Sequence, residues 1–271
     1  VSRRPLASFD RLPTIDRQLG GSPQLHAEEL RHVITTAINA HPRSQQQEIG
    51  PSEIGTPCTL RLGYKLAGNP PTNVSGLAAD GWKATVGTAV HAWLADVFVA
   101  ANRSIDPARW IVEARVNIGE IDDGSDDPDV MGGSCDVFDR VTCRVTDWKL
   151  TGLNKIKAYR ANGPGEQYRV QAHSYGLGFA QRGEPVAAVG IMFLPRDGLL
   201  AQSYYWSEPY DAEVARAALR RASGVATLLR LVDPATVLRG LPRAPAYCTY
   251  CPWYRPGAAD PAVCCPGAQT Y

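Results

Sequence analysis

Gly132-Gly133-Ser134-Cys135-Asp136-Val137-Phe138-Asp139, followed by Val145-Thr146-Asp147-Trp148-Lys149, is the stretch whose reading decides the fold. Its alternation predicts two short adjoining strands, Gly132–Asp139 and Val141–Lys149. Asp136 then falls near the end of the first strand, and an Asp-x-Lys falls on the second. Two carboxylates and a lysine on neighbouring strands can hold a divalent cation beside a phosphodiester. The cation polarises the phosphate and activates a water, and the lysine steadies the developing charge. A surface hairpin with solvated charges satisfies the same letters, so the surrounding chain has to decide.

The chain has 271 residues, 44% hydrophobic and 20% charged, which permits a substantial core and excludes wholesale disorder. The net charge is +1, so a nucleic-acid partner needs a local basic groove. No apolar run approaches the roughly 18 residues of a membrane span, and Val1-Ser-Arg-Arg-Pro lacks an apolar signal region. The expectation is a soluble cytoplasmic protein with no membrane partner. Seven cysteines is an odd number, which argues against a disulfide framework. Cys248, Cys251, Cys264 and Cys265 crowd the end of the chain and suggest a metal or cluster site.

Outward from the central stretch, residues 1–20 show no period. Ser22-Pro23 opens a predicted helix to about Ala40, ended by Pro42 and followed by the polar link Gln45-Gln46-Gln47. A Ser52 cap predicts a short helix carrying Cys58. Residues 68–81 read as a loop. Thr85 to Ala101 has an apolar stripe at helical spacing and carries His91, a metal ligand or a hydrogen-bonded core residue. Ile111 to Ile118 reads as a strand, with Glu113 either reaching the site or lying plainly on its face. The acidic loop after Ile121 lacks the spacing of an EF-hand and reads as a solvated turn. Between Arg144 and Arg169 basic residues predominate, as a solvated surface or a lip tracking a phosphate backbone. Residues 165–181 are helical, with Gln167, Gln171 and Tyr175 on one face, polar and exposed or serving the site. Residues 185–195 and 199–207 predict a hairpin turning at 196–198, and Asp211 to Val232 a long helix ended by Asp233-Pro234.

In order and spacing, four pieces together resemble the RecB-like branch of the PD-(D/E)xK nuclease superfamily. They are His91, Gly133-Ser-Cys-Asp136-Val-Phe-Asp139, Asp147-Trp-Lys149-Leu-Thr-Gly, and Gln171-Ala-His-Ser-Tyr175. Ser52-Glu-Ile-Gly-Thr-Pro-Cys58-Thr-Leu-Arg61 is similar to the segment that begins many of these nucleases. The cysteines extend the likeness to the iron–sulfur subgroup, which includes CRISPR-associated exonucleases and AddB-type recombination nucleases. The resemblance assigns a four-iron (4Fe-4S) cluster to Cys58, Cys248, Cys251 and either Cys265 or Cys264, over roughly residues 50 to 267. Twelve residues separate Cys251 from Cys264, more than the family's usual gap. Structural Zn²⁺ on four thiolates is the rival, since Cys-x-x-Cys suits both.

The resemblance implies an α/β fold: a PD-(D/E)xK restriction-endonuclease-like core with a central mixed sheet flanked by helices, plus a helical and iron–sulfur annex. It implies an annex at 50–84 and 233–271 and a core at 85–232; residues 1–49, which it does not explain, are read as an N-terminal helical extension of the same single nuclease domain, 1–271. His91, Asp136, Asp147 and the Trp148 carbonyl would bind Mg²⁺ or Mn²⁺. Lys149 would orient the attacking water, helped if its pKa is lowered, and Gln171 and Tyr175 would position the DNA. The implied activity is a metal-dependent exonuclease on single-stranded DNA ends, 5′ to 3′, in phage recombination beside an annealing protein or in CRISPR spacer acquisition beside integration proteins. A homo-oligomer is compatible with it. The rival from another class is a non-catalytic DNA-binding or assembly module with a structural metal site.

Overall fold

A computed structural model describes residues 22–40, 49–74, 81–126 and 128–268. The first four helices are α1 (Pro23–Ala40), α2 (Pro51–Ile54), α3 (Thr59–Leu66) and α4 (Trp82–Asn102). Strands β1 (Trp110–Ile121), β2 (Asp129–Asp139) and β3 (Arg144–Thr151) follow, then α5 (Leu153–Asn162), α6 (Glu166–Gln181), β4 (Ala188–Pro195), β5 (Tyr204–Pro209), α7 (Ala212–Leu231) and α8 (Pro234–Gly240). The protein is α/β, with helices packed on a five-stranded mixed sheet of order β1-β2-β3-β4-β5. β3 and β4 are parallel and the other neighbours antiparallel. The parallel pair needs a crossover, which α5 and α6 provide.

Two features place the central strands. Asp139, at the end of β2, accepts hydrogen bonds from the Val141 N–H (3.0 Å) and the Thr142 hydroxyl (2.7 Å). Residues 140–143 are thereby drawn into a turn, so β3 begins at Arg144 and not at Val141 as alternation suggested. Arg109 closes on the same carboxylate with a two-pronged contact at 2.8 and 2.6 Å. Side-chain alternation along β3 then sends Trp148 onto Phe98 of α4 (5.3 Å between centroids) and turns Asp147 and Lys149 toward α6. Phe138 stacks on Phe179 of α6 at 4.6 Å in the middle of the main core.

Elsewhere the structure departs from the sequence expectations. Cys58 sits at the N-cap of α3, between α2 and α3, not within a helix. The 196–198 turn lengthens, because residues 200–202 form a 3-10 turn held by the Gln202 side chain on the Leu199 N–H (2.7 Å), and β5 starts at Tyr204. Asp233-Pro234 closes α7 and also opens α8, the Asp233 carboxylate accepting from the Thr236 N–H at 3.0 Å. In the acidic turn, Asp122 and Asp123 accept backbone N–H bonds from Gly124 and Ser125. The expectations for residues 1–20, Pro42 and Gln45–Gln47 lie outside the described residues.

By length and composition alone, α4 is long and apolar enough to cross a membrane, with a mean hydropathy of 1.4. The sequence reading missed this because no continuous apolar run exists: Thr85, Gly87, Thr88, His91 and Asp96 interrupt it. In the fold α4 lies against β1, β2 and β3 and carries His91 inward, while Trp82 and Trp93 face outward.

A second, smaller core joins the ends of the described chain. Cys58, Leu60 and Tyr64 pack with Leu238, Ala246, Cys251, Trp253, Ala262 and Cys265. Tyr64 stacks on Trp253 at 5.4 Å. Backbone bonds sew the segments together: Leu60 N–H to Pro242 O (3.0 Å), and Thr72 and Asn73 N–H to Pro252 O (2.9 and 2.7 Å).

Candidate functional site

The pairing of β2 with β3 runs only from Asp139↔Arg144 to Val137↔Thr146. At the next step the register would set Asp136 opposite Asp147. There the strands part, and side chains take over the hydrogen bonds that the ladder gives up. The Trp148 N–H donates to Asp136 Oδ2 at 2.7 Å, and His91 Nδ1 lies 2.9 Å from Asp136 Oδ1. Asp147 Oδ2 meets Lys149 Nζ at 2.5 Å, while Asp147 Oδ1 accepts from Gln171 Nε2 at 3.1 Å. The Gln171 amide also lies 3.4 Å from the Tyr175 hydroxyl. His91, Asp136, Asp147, Trp148, Lys149, Gln171 and Tyr175 therefore meet at one fork in the sheet.

Gln171 and Tyr175 are 3% and 6% exposed. Their polar groups do not form an outward strip: Gln171 donates to Asp147 and lies against the Tyr175 hydroxyl. Gln167 donates to the Ser52 carbonyl at 2.6 Å and ties α6 to α2. Asp139, the last residue of the Gly-x-x-Asp-x-x-Asp pattern, serves the turn and Arg109 and stands apart from the fork. Gly133 is required by crowding: a Cβ there would lie 2.7 Å from Pro51 Cγ and 3.3 Å from Tyr175 Cε1.

Glu113 is the residue that the sequence left undecided. It has φ +48, a left-handed conformation unusual for a side-chain-bearing residue in a strand. The Ser134 hydroxyl donates to its carboxylate at 2.7 Å. His91, Glu113 and Asp136 each offer a ligand atom, all within 4.8 Å of one another. Opposite ligands of an octahedral Mg²⁺ lie about 4.2 Å apart. Adjacent ligands lie about 3 Å apart, so these three side chains would have to close on an Mg²⁺ or Mn²⁺ to hold it.

The electrostatics fit a cation. Burial raises the Asp147 carboxyl to about 6; Lys149 pulls it down and Asp136 pushes it up. His91 is pulled down by burial, but its bond to Asp136 outweighs this and its pKa is raised. Lys149 is likewise lowered by burial and raised more by Asp147, so its net shift is upward. The lowered lysine pKa that would suit a general base is therefore not found. Lys149 stays charged, suited to donating a hydrogen bond to an anionic oxygen.

In the annex, Cys58, Cys248, Cys251 and Cys265 line one pocket together with Arg61, Ala246 and Tyr254. Cys264 is buried but does not line it. Burial pushes the Cys265 thiol up to about 11, with Cys58, Cys251 and Cys248 adding to the rise. A cationic centre would relieve this crowding by taking the four as thiolates. Among the described residues, no three of these sulfurs lie within 4.8 Å of one another. Thiolates around one Zn²⁺ sit about 3.8 Å apart. Cys135 is fully buried in the main core, and Cys143 sits in the turn before β3.

No protein-family model matches the chain, and no curated protein matches it. Among solved structures, the chain is similar to the one described as "Crystal structure of SSO0001". The identity is 17% and the TM-score 0.48, over 82% of this chain and 92% of that one.

Proposed function

We propose that the chain is a divalent-metal-dependent deoxyribonuclease with a RecB-like PD-(D/E)xK core, acting on single-stranded DNA ends. The observation that carries this reading is the fork of β2 and β3, where His91, Asp136, Asp147 and a charged Lys149 converge. His91, Asp136 and Glu113 would hold the metal; Asp147, expected as a ligand with the Trp148 carbonyl, lies outside that group and is held by Lys149 and Gln171. A bound Mg²⁺ or Mn²⁺ supplies Lewis-acid polarisation of a phosphate oxygen and a more acidic water. The Trp148 N–H fixes Asp136, and Gln171, braced by Tyr175, fixes Asp147. Lys149 lies beside Asp147 at the same fork and would bond the non-bridging oxygens as their charge grows. Cys58, Cys248, Cys251 and Cys265 would hold a 4Fe-4S cluster that ties residues 58–73 to residues 238–267 and supplies folding free energy.

The test is incubation with single-stranded DNA and Mn²⁺, end-labelled at each terminus in turn to read the expected 5′ to 3′ polarity. Wild type should shorten the strand, and Asp147→Ala and Lys149→Ala should not. Equal degradation by all three would sink the reading.

A further inference from the structure

From Lys149 of the fork toward the cysteine pocket runs a line of tyrosines that the metal chemistry does not use. Lys149 Nζ lies 5.3 Å over the Tyr168 ring. Tyr168 packs edge-on to Tyr159 at 6.0 Å, and Tyr159 stacks on Phe193 at 4.3 Å. The Tyr159 hydroxyl interacts with Tyr247. Tyr247 ends the line, with Lys155 Nζ 4.7 Å over its ring and 3.4 Å from its hydroxyl.

Tyr247 itself is unusual. It has φ +53 and ψ +52, a left-handed backbone that an aromatic residue rarely adopts. Such a conformation costs on the order of 1–3 kcal/mol and persists only where the surroundings impose it. Yet the side chain is 55% exposed, so burial of the ring does not compensate. The Tyr247 carbonyl accepts from the Tyr250 N–H at 2.9 Å, and the next residue, Cys248, lines the cysteine pocket. The ring is exposed at the edge of the annex, at the far end of a tyrosine line from Lys149.

The cations beside it are equally available. Lys155, Lys157 and Arg160 lie on α5 and are exposed, and no described carboxylate forms an ion pair with any of them. Arg160 instead lies over Tyr204 at 5.4 Å. An exposed ring flanked by exposed cations that no described carboxylate neutralises suits a strand with unpaired bases and a phosphate backbone. The ring takes a base face and the cations take phosphates.

Resting on the nuclease reading, we propose that Tyr247 and Lys155 form a stacking site for one unpaired nucleobase of the strand entering the fork. Tyr247 meets the base face and Lys155 meets an adjoining phosphate. A duplex, whose bases are already stacked, has no free face to offer.

The test is binding, so it does not depend on hydrolysis. The full-length protein is titrated into fluorescein-labelled dT12 in Ca²⁺, with fluorescence anisotropy as the readout. Tyr247→Asn keeps the left-handed backbone, which asparagine tolerates, and removes the stacking face; Tyr247→Trp keeps the face. Tyr247→Asn should weaken binding about 5- to 150-fold, the range for one lost base stack, and Tyr247→Trp should stay near wild type. An abasic site at one position of the strand should weaken wild type similarly and leave Tyr247→Asn almost unaffected. Equal binding by wild type and Tyr247→Asn overturns the proposal. So do equal losses in Tyr247→Asn and Tyr247→Trp, and so does additivity with every abasic position, which leaves Tyr247–Lys155 as a surface staple. If wild type binds with this pattern but hydrolyses nothing, the nuclease reading falls and the stacking site stands. If hydrolysis occurs while Tyr247→Asn binds normally, the reverse holds.

Discussion

Replacing Lys149 by methionine removes one charge from the fork while nearly keeping its volume. Lys149 Nζ lies 2.5 Å from Asp147 Oδ2, with side-chain exposures of 18% and 4%. At an effective dielectric of about 20, the Coulomb attraction at that distance is roughly 6–7 kcal/mol, a ceiling that desolvation cuts down. Breaking a buried pair by removing one partner costs about 3–5 kcal/mol. The solvent still reaching Lys149 puts the expectation at the lower end, about 2–3 kcal/mol. Asp147→Asn also loses the pair and leaves a cation stranded. In Asp147→Asn/Lys149→Met neither charge remains, and most of the loss should be recovered. Urea unfolding of the four proteins without added divalent metal gives the coupling. About 2 kcal/mol is expected; a coupling below about 0.5 kcal/mol would show that the two side chains behave independently and refute the reasoning.

Three further outcomes follow. In Asp139, burial pulls the carboxyl up, but Arg109, Thr142 and Val141 outweigh it and leave it at about 2, below the ordinary 3.8. Because the folded value is depressed, its stabilisation is complete above about pH 4 and is lost as pH falls toward 2. Asp139→Asn should therefore cost about 1–2 kcal/mol at pH 7 and almost nothing near pH 2, read from urea midpoints. Gly133→Ala should destabilise by about 1–3 kcal/mol in thermal unfolding, since the new methyl meets Pro51 and Tyr175. On the proposed 4Fe-4S assignment, anaerobically purified wild type should carry iron and absorb near roughly 400 nm, Cys265→Ala should lose both, and Cys264→Ala should keep both. Equal iron in the two variants would reject the assignment of Cys265.

The two strands, the His91 helix and the Gln171/Tyr175 spacing are legible in the sequence because each carries its own period. What the spacing cannot carry is destination. Gln171 and Tyr175 look like a polar exposed face, and they are buried because α6 is covered along residues 170–179. α5 escaped notice because only Ile156 is buried in it, so it has no apolar stripe. α8 was hidden by Asp233-Pro234, which reads equally as an end and a beginning. The role of Asp139 depends on Arg109, thirty residues away, and that of Glu113 on a backbone conformation no local letter announces. That Cys265 lines the pocket and Cys264 does not is visible only in the folded annex.

The claim at the centre of this account is that the fork of β2 and β3 is a divalent-metal site. Mn²⁺ titration followed by the electron paramagnetic resonance of free Mn²⁺ tests it most directly. Wild type should remove Mn²⁺ from solution at a site that Asp136→Asn and His91→Ala each weaken at least about tenfold, the scale of losing one ligand in a preformed site. Binding unchanged in both variants would contradict the claim.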